Sequence, residues 1–68
     1  MRSATQRVAA RVVALRQARG FSQEALAKKT GLNRVTLARL ERALHQPTLD
    51  TLDRIARALH VGLVQLLA

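Results

Sequence analysis

Residues 22–42 read SQEALAKKTGLNRVTLARLER, and one helix-start signal occurs in and around them twice. Phe21-Ser22 is followed by Leu26; eleven residues on, Leu32-Asn33 is followed by Leu37. In each copy a residue able to cap a helix stands just after an apolar one. The capping oxygen can accept from amides of the first turn, and the apolar residue meets another at the fourth helical position as a hydrophobic staple. Gly31 lies between the copies, where a left-handed residue ends a helix. The stretch therefore predicts a short helix, a tight turn and a second short helix.

The second helix carries the functional information. With Leu37 at zero and about 100° per residue, Leu40 and Leu44 fall within roughly 60° of it and form the expected buried stripe. Val35, Arg39 and Arg42 land opposite, flanked by Thr36 and Ala38. A solvated basic face would also show arginines, but an outward β-branched residue between them suits another role. In the major groove of DNA, Arg bonds guanine edges and small apolar groups meet thymine methyls.

Composition narrows the classes. Sixty-eight residues make one small domain, 1–68, with the helix-turn-helix at about 22–43. The absence of cysteine removes disulfides and thiolate metal sites. No apolar run approaches the ~20 residues of a membrane span, and the N-terminus lacks the apolar core of a signal peptide. The cytoplasm is the expected location, for a bacterial or phage-encoded protein, with no membrane partner. Twelve Lys and Arg against four Asp and Glu give a net charge of +8, as expected of a polyanion-binding protein, although charge also keeps a small domain soluble. The two histidines and four carboxylates form no convergent catalytic or metal-binding set. No cofactor, metal or catalytic residue is expected. A single aromatic residue, Phe21, is too few for an RNA-stacking platform. Several capped helices separated by glycines also differ from the one amphipathic helix of a membrane-active peptide.

Working outward, Met1–Arg19 reads as the first helix. Ser3 and Gln6 fit a capping box, Gly20 ends the run, and Val8, Val12 and Leu15 give a buried stripe. Arg2, Arg7 and Arg11 face elsewhere, either as a solvated basic face, the preferred reading, or as an arm toward phosphates. In the second helix, Gln23–Thr30, Leu26 and Ala27 are expected inside, while Glu24, Lys28 and Lys29 suit the helix dipole. Gln23, beside the free amides of the helix start, makes a natural phosphate site. Thr48 and Asp50 open a helix over Leu49–Leu59 whose stripe is Leu49, Leu52, Ile55, Ala56 and Leu59. Asp50–Arg54 and Asp53–Arg57 are expected surface pairs worth ~0.3 kcal/mol each. In the tail, Leu63, Val64, Leu66 and Leu67 cannot all point inward from so short a helix. They predict a symmetric contact with a second copy, or else the closing of a small core.

The ordered set Leu15-Arg16, Arg19-Gly20, Ser22-Gln23, Leu26-Ala27, Gly31, Leu40-Glu41, Pro47, Leu49, Leu52, Ala56 and Leu59 resembles the helix-turn-helix of Cro and the lambda-type phage repressors, the Xre family. The resemblance covers the chain from about Val12 onward. It implies an all-α, five-helix, lambda-repressor-like domain that binds double-stranded operator DNA as a homodimer. Carried over residue by residue, it implies base reading by Arg34, Val35, Thr36 and Arg39 and phosphate contact by Gln23. Asn33, Arg42, His45 and Gln46 are further phosphate candidates, although for His45 an ordinary solvated loop residue is the preferred reading. Glu41 lies about 40° from Leu37 on the wheel, where a carboxylate needs a partner. Geometry permits Arg16 or Arg19, and the resemblance implies Arg16. Two departures stand out. Ala43 and His60 occupy places where relatives carry helix-ending glycines, so the third helix is expected to run on through Leu44 and break ahead of Pro47. The expected function is a sequence-specific transcriptional regulator, a repressor on a palindromic operator. The alternatives are an antitoxin that also binds a toxin protein, or a restriction–modification controller.

Overall fold

The computed structural model describes residues 2–68. It contains α1 (Ala4–Ala18), α2 (Gln23–Thr30), α3 (Arg34–Glu41), α4 (Leu49–Ala58) and α5 (Leu63–Leu67). No strand occurs among the described residues, so the architecture is the expected all-α, five-helix one. Met1, expected in the first helix from sequence, lies outside the described residues.

Side-chain caps set four of the helix starts. Ser3 Oγ accepts from Gln6 N while Gln6 Oε1 accepts from Ser3 N, the reciprocal box that fixes α1. Ser22 accepts from Ala25 N, Asn33 from Val35 N and Thr48 from Thr51 N. Gly62 has no side chain to offer α5; instead its N–H donates to Gln65 Oε1 at 2.8 Å.

The helix ends share one turn. After α1 through α4, paired backbone bonds close a left-handed residue: Gly20, Gly31, Ala43 and His60, with φ of 76°, 76°, 57° and 58°. This overturns the expectation that the third helix continues through Leu44. It stops at Glu41 with Arg42 as its cap, and Ala43 takes the left-handed conformation in place of a glycine. Ala43 N donates to Leu40 O and Leu44 N to Arg39 O. Those bonds satisfy the last carbonyls and hold Ala43 in a region that costs an L-residue about 1–2 kcal/mol.

α1 packs on α3 and α5, α2 on α3 and α4, and α4 on α5. Val8, Val12, Leu26, Leu37, Leu40, Leu52, Ile55, Leu59 and Leu66 form the common core, with Leu15, Phe21, Leu32, Val61 and Leu63 partly buried around it. Two leucines expected inside are not. Leu44 is 51% exposed, because the chain leaves the helix at Ala43 and the wheel phase ends there. Leu49 is 64% exposed; as the first residue of α4 it sits at the rim, in a shallow groove with Val8, Pro47 and Leu67. Asp53 and Arg57 pair at 2.9 Å, whereas Asp50 and Arg54 form no ion pair among the described residues. Both sit on a solvated face where such a pair gains little.

Candidate nucleic-acid interface

The turn between α2 and α3 is locked from inside. Thr30 is buried, and its Oγ1 donates toward Leu26 O at 2.8 Å and Ala27 O at 3.1 Å while accepting from Leu32 N at 3.3 Å. Gly31 then reverses the chain, and Asn33 restarts it by accepting from Val35 N at 2.7 Å. This succession fixes the angle at which α3 leaves α2. Sequence reasoning misses Thr30, because a threonine directly before a helix-ending glycine is a weak signal on its own.

Leu37 and Leu40 anchor the inner face of α3 with almost no exposure. The opposite face is open. Arg34, Arg39 and Arg42 are exposed, Val35 is 65% exposed, and Thr36 and Ala38 are half-buried. None of these arginines joins an ion pair among the described residues. Arg34, Val35, Ala38, Arg39 and Arg42 line a concavity of about 410 Å³ together with Gln23 and Leu44. Thr36 lies outside it. The structure thus brings the start of α2 and one flank of α3 onto a single basic surface, and adds an exposed leucine that the helical wheel assigns to the core.

Behind this surface lies a polar bracket. Arg16 Nε donates to Glu41 Oε2 at 2.7 Å and its Nη2 to Glu41 Oε1 at 3.1 Å. The two side chains are only 13% and 4% exposed, so this is a bidentate pair held largely out of water. Arg16 Nη1 also donates to Phe21 O at 2.8 Å, and Gln23 Nε2 to Glu41 Oε1 at 2.9 Å. The end of α1, the turn after it, the start of α2 and the end of α3 are therefore tied at one arginine–glutamate pair. Arg19, which wheel geometry alone permits as the partner, turns away and donates from Nε to Leu59 O at 2.9 Å, closing the end of α4.

The remaining candidates are dispersed. His45 is half-buried and Gln46 exposed on the loop after α3. Lys29 Nζ lies 5.2 Å from the centroid of the Phe21 ring, a cation–π contact that occupies it locally. Of the four apolar tail residues, Val64 and Leu67 are 75% and 44% exposed, Leu63 is partly buried, and Leu66 has no exposure at all. Leu66 belongs to the chain's own core, which withdraws it from any contact with a second copy. Among the described residues no helix is long and apolar enough to cross a membrane, and no three His, Cys, Asp or Glu side chains are grouped to hold a metal ion.

A capped helix, a glycine turn and a second helix with a basic outward face define a helix-turn-helix protein. The helix-turn-helix family model HTH_3 matches residues 12–66. The chain belongs to this family of DNA-binding transcription regulators. Solved structures agree. A hypothetical transcription factor of Neisseria, NHTF, is 32% identical and superposes with a TM-score of 0.93 over 97% of this chain and 76% of its own. The restriction-modification controller protein C.AhdI of Aeromonas hydrophila is 32% identical, with a TM-score of 0.88 over 91% and 94% of the two chains. SinR, a master regulator for biofilm formation solved in complex with DNA, is 29% identical, with a TM-score of 0.86 over 90% and 98%. No curated protein matches the chain.

Proposed function

We propose that this regulator is a sequence-specific repressor that binds a two-fold symmetric operator as a homodimer and lays α3 in the major groove. The carrying observation is the outward face of α3: exposed arginines without carboxylate partners among the described residues, around a valine left 65% exposed. Arg39 and Arg34 read guanine edges, Val35 meets a thymine methyl, and Thr36 serves as an adaptable hydroxyl. Gln23 holds a phosphate. One N–H of its amide is given to Glu41, which leaves the second free to donate beside the backbone amides of the α2 start. Asn33 spends its oxygen on the α3 cap and keeps its amide N–H groups for phosphate; Arg42, His45 and Gln46 continue the track along the loop. Val64 and Leu67, with the edge of Leu63, form the contact between copies.

The likeness to SinR bound to DNA supports the groove-reading arrangement. A second reading, the controller of a restriction–modification system, is favoured by the likeness to C.AhdI, which spans 94% of that chain. The experiment is selection from a random duplex library with the full chain. An inverted repeat whose half-sites are centred about 34 Å apart, one turn of DNA, is expected. Enrichment of no sequence, or of one unrepeated motif, would overturn the reading.

A further inference from the structure

The arginines along α1 and just before it remain unexplained by the fold. Arg2, Arg7 and Arg11 are exposed, and neither ion pair among the described residues includes them. Arg2 and Arg7 also stand at the electrically wrong end of the helix. The start of a helix favours negative charge, yet the first turn of α1 contains no acidic residue and ends on Arg7. Helix stability therefore gives no reason for this charge.

Their placement does give one. Arg2 and Gln6 share a shallow concavity with Glu41, Arg42 and Ala43, at the end of α3; the Glu41 carboxylate is neutralised by Arg16 and only 4% exposed. A second concavity carries on from Arg2 past Arg7 to Arg11. Ala10 lines both, so the floor between the arginines is a small side chain over which another backbone can pass closely. Arg7 is oriented along this track, its Nη1 donating to Arg2 O at 3.0 Å. The basic surface of α3 thus continues around its C-terminal end and along α1. A polyanion following that path would meet Arg42, Arg2, Arg7 and Arg11 in succession.

We propose that Arg2, Arg7 and Arg11 form a second, sequence-independent phosphate contact that extends the DNA footprint beyond the bases read by α3. The proposal rests on the DNA-reading role of α3 and adds a surface to it. Phosphate contacts position a protein and carry no sequence information, so this strip contributes affinity and salt dependence without altering operator choice.

The test compares the full chain with the Arg7→Gln/Arg11→Gln variant on the selected operator, in a duplex with long flanks and in one trimmed to the half-sites. Glutamine keeps the helix propensity, and far-UV circular dichroism checks the fold. An Arg54→Gln/Arg57→Gln variant, with the charge removed from α4, controls for net charge. Each phosphate that is no longer neutralised makes the slope of log Kobs against log salt shallower by about 0.9, so the slope of the α1 variant should fall by about 1.8 per bound protomer on long DNA. The same reduction should appear on operator and random DNA and vanish on the trimmed duplex, while the α4 control keeps its slope. An unchanged slope, an equal change in the α4 control, or a reduction confined to operator would overturn the proposal. Should the parent chain select no operator, the reading of α3 has failed; an operator bound alike by parent and α1 variant refutes the strip alone.

Discussion

Gln23 and Glu41 are joined by a 2.9 Å hydrogen bond from Nε2 to Oε1, so the residue that opens α2 is held by the residue that closes α3. Glu41 simultaneously accepts from two nitrogens of the Arg16 fork. The proposed phosphate-holding and base-reading elements are thus registered through a carboxylate that itself faces almost no solvent.

Glu41→Ala should lower stability by about 3 kcal/mol, since it leaves the Arg16 guanidinium buried without its counter-charge. Chemical denaturation of Arg16→Ala, Glu41→Ala and the double variant measures the coupling. A coupling near zero would show that the pair does not hold the helices together.

Ala43→Gly should raise stability by about 1 kcal/mol. Glycine removes the left-handed strain, and part of the gain is returned as backbone entropy. The mirror experiment is Gly31→Ala. A Cβ there meets no atom within 4 Å, so the expected destabilisation of similar size comes from the backbone alone. Thermal unfolding reads both, as shifts of about 4–8 °C in opposite directions for a domain of this size.

Arg39→Ala should cost about 1–3 kcal/mol per half-site and relax preference at one base of each half-site. Gln23→Ala should weaken operator and random DNA alike. Binding across a library with each half-site position varied in turn separates the two. Equal weakening by Arg39→Ala on operator and random DNA would reduce it to a phosphate contact and move the specificity to Arg34 and Thr36.

Val64→Asp and Leu67→Asp should abolish self-association, and Val64→Asp, at a side chain 75% exposed, should leave the melting of the protomer nearly unchanged. Leu66→Ala, at a fully buried position, should instead cost about 2–5 kcal/mol of stability. Sedimentation and thermal melts together distinguish an interface from a core. Unaltered association in the aspartate variants would exclude this face.

Where the sequence is informative, a side chain states its own local job. Ser3, Ser22, Asn33 and Thr48 are capping oxygens, and each opens a helix. The outward pair Val35 and Arg39 follows from helical phase alone, because α3 is regular over that span, and Arg42 follows as its cap. Phase fails where regularity stops. Extending α3 past Ala43 places Leu44 inside, and nothing about an alanine announces a positive φ. Convergence across helices is also illegible. Arg16 and Arg19 are both compatible with Glu41, and only the assembled packing gives Arg19 to Leu59 O and Gln23 to Glu41.

α1 touches both α3 and α5, and it borders α3 from Gln6 near its start to Arg16 near its end. In a dimer joined through Val64 and Leu67, as proposed, it would be the spacer between the seam and each reading helix. The permitted distance between half-sites would then depend on how Val8 and Val12 seat in the core. Operators with one base pair inserted at the centre would be rejected for a mechanical reason, and a core substitution beneath α1 could shift the preferred spacer without touching a DNA-facing residue.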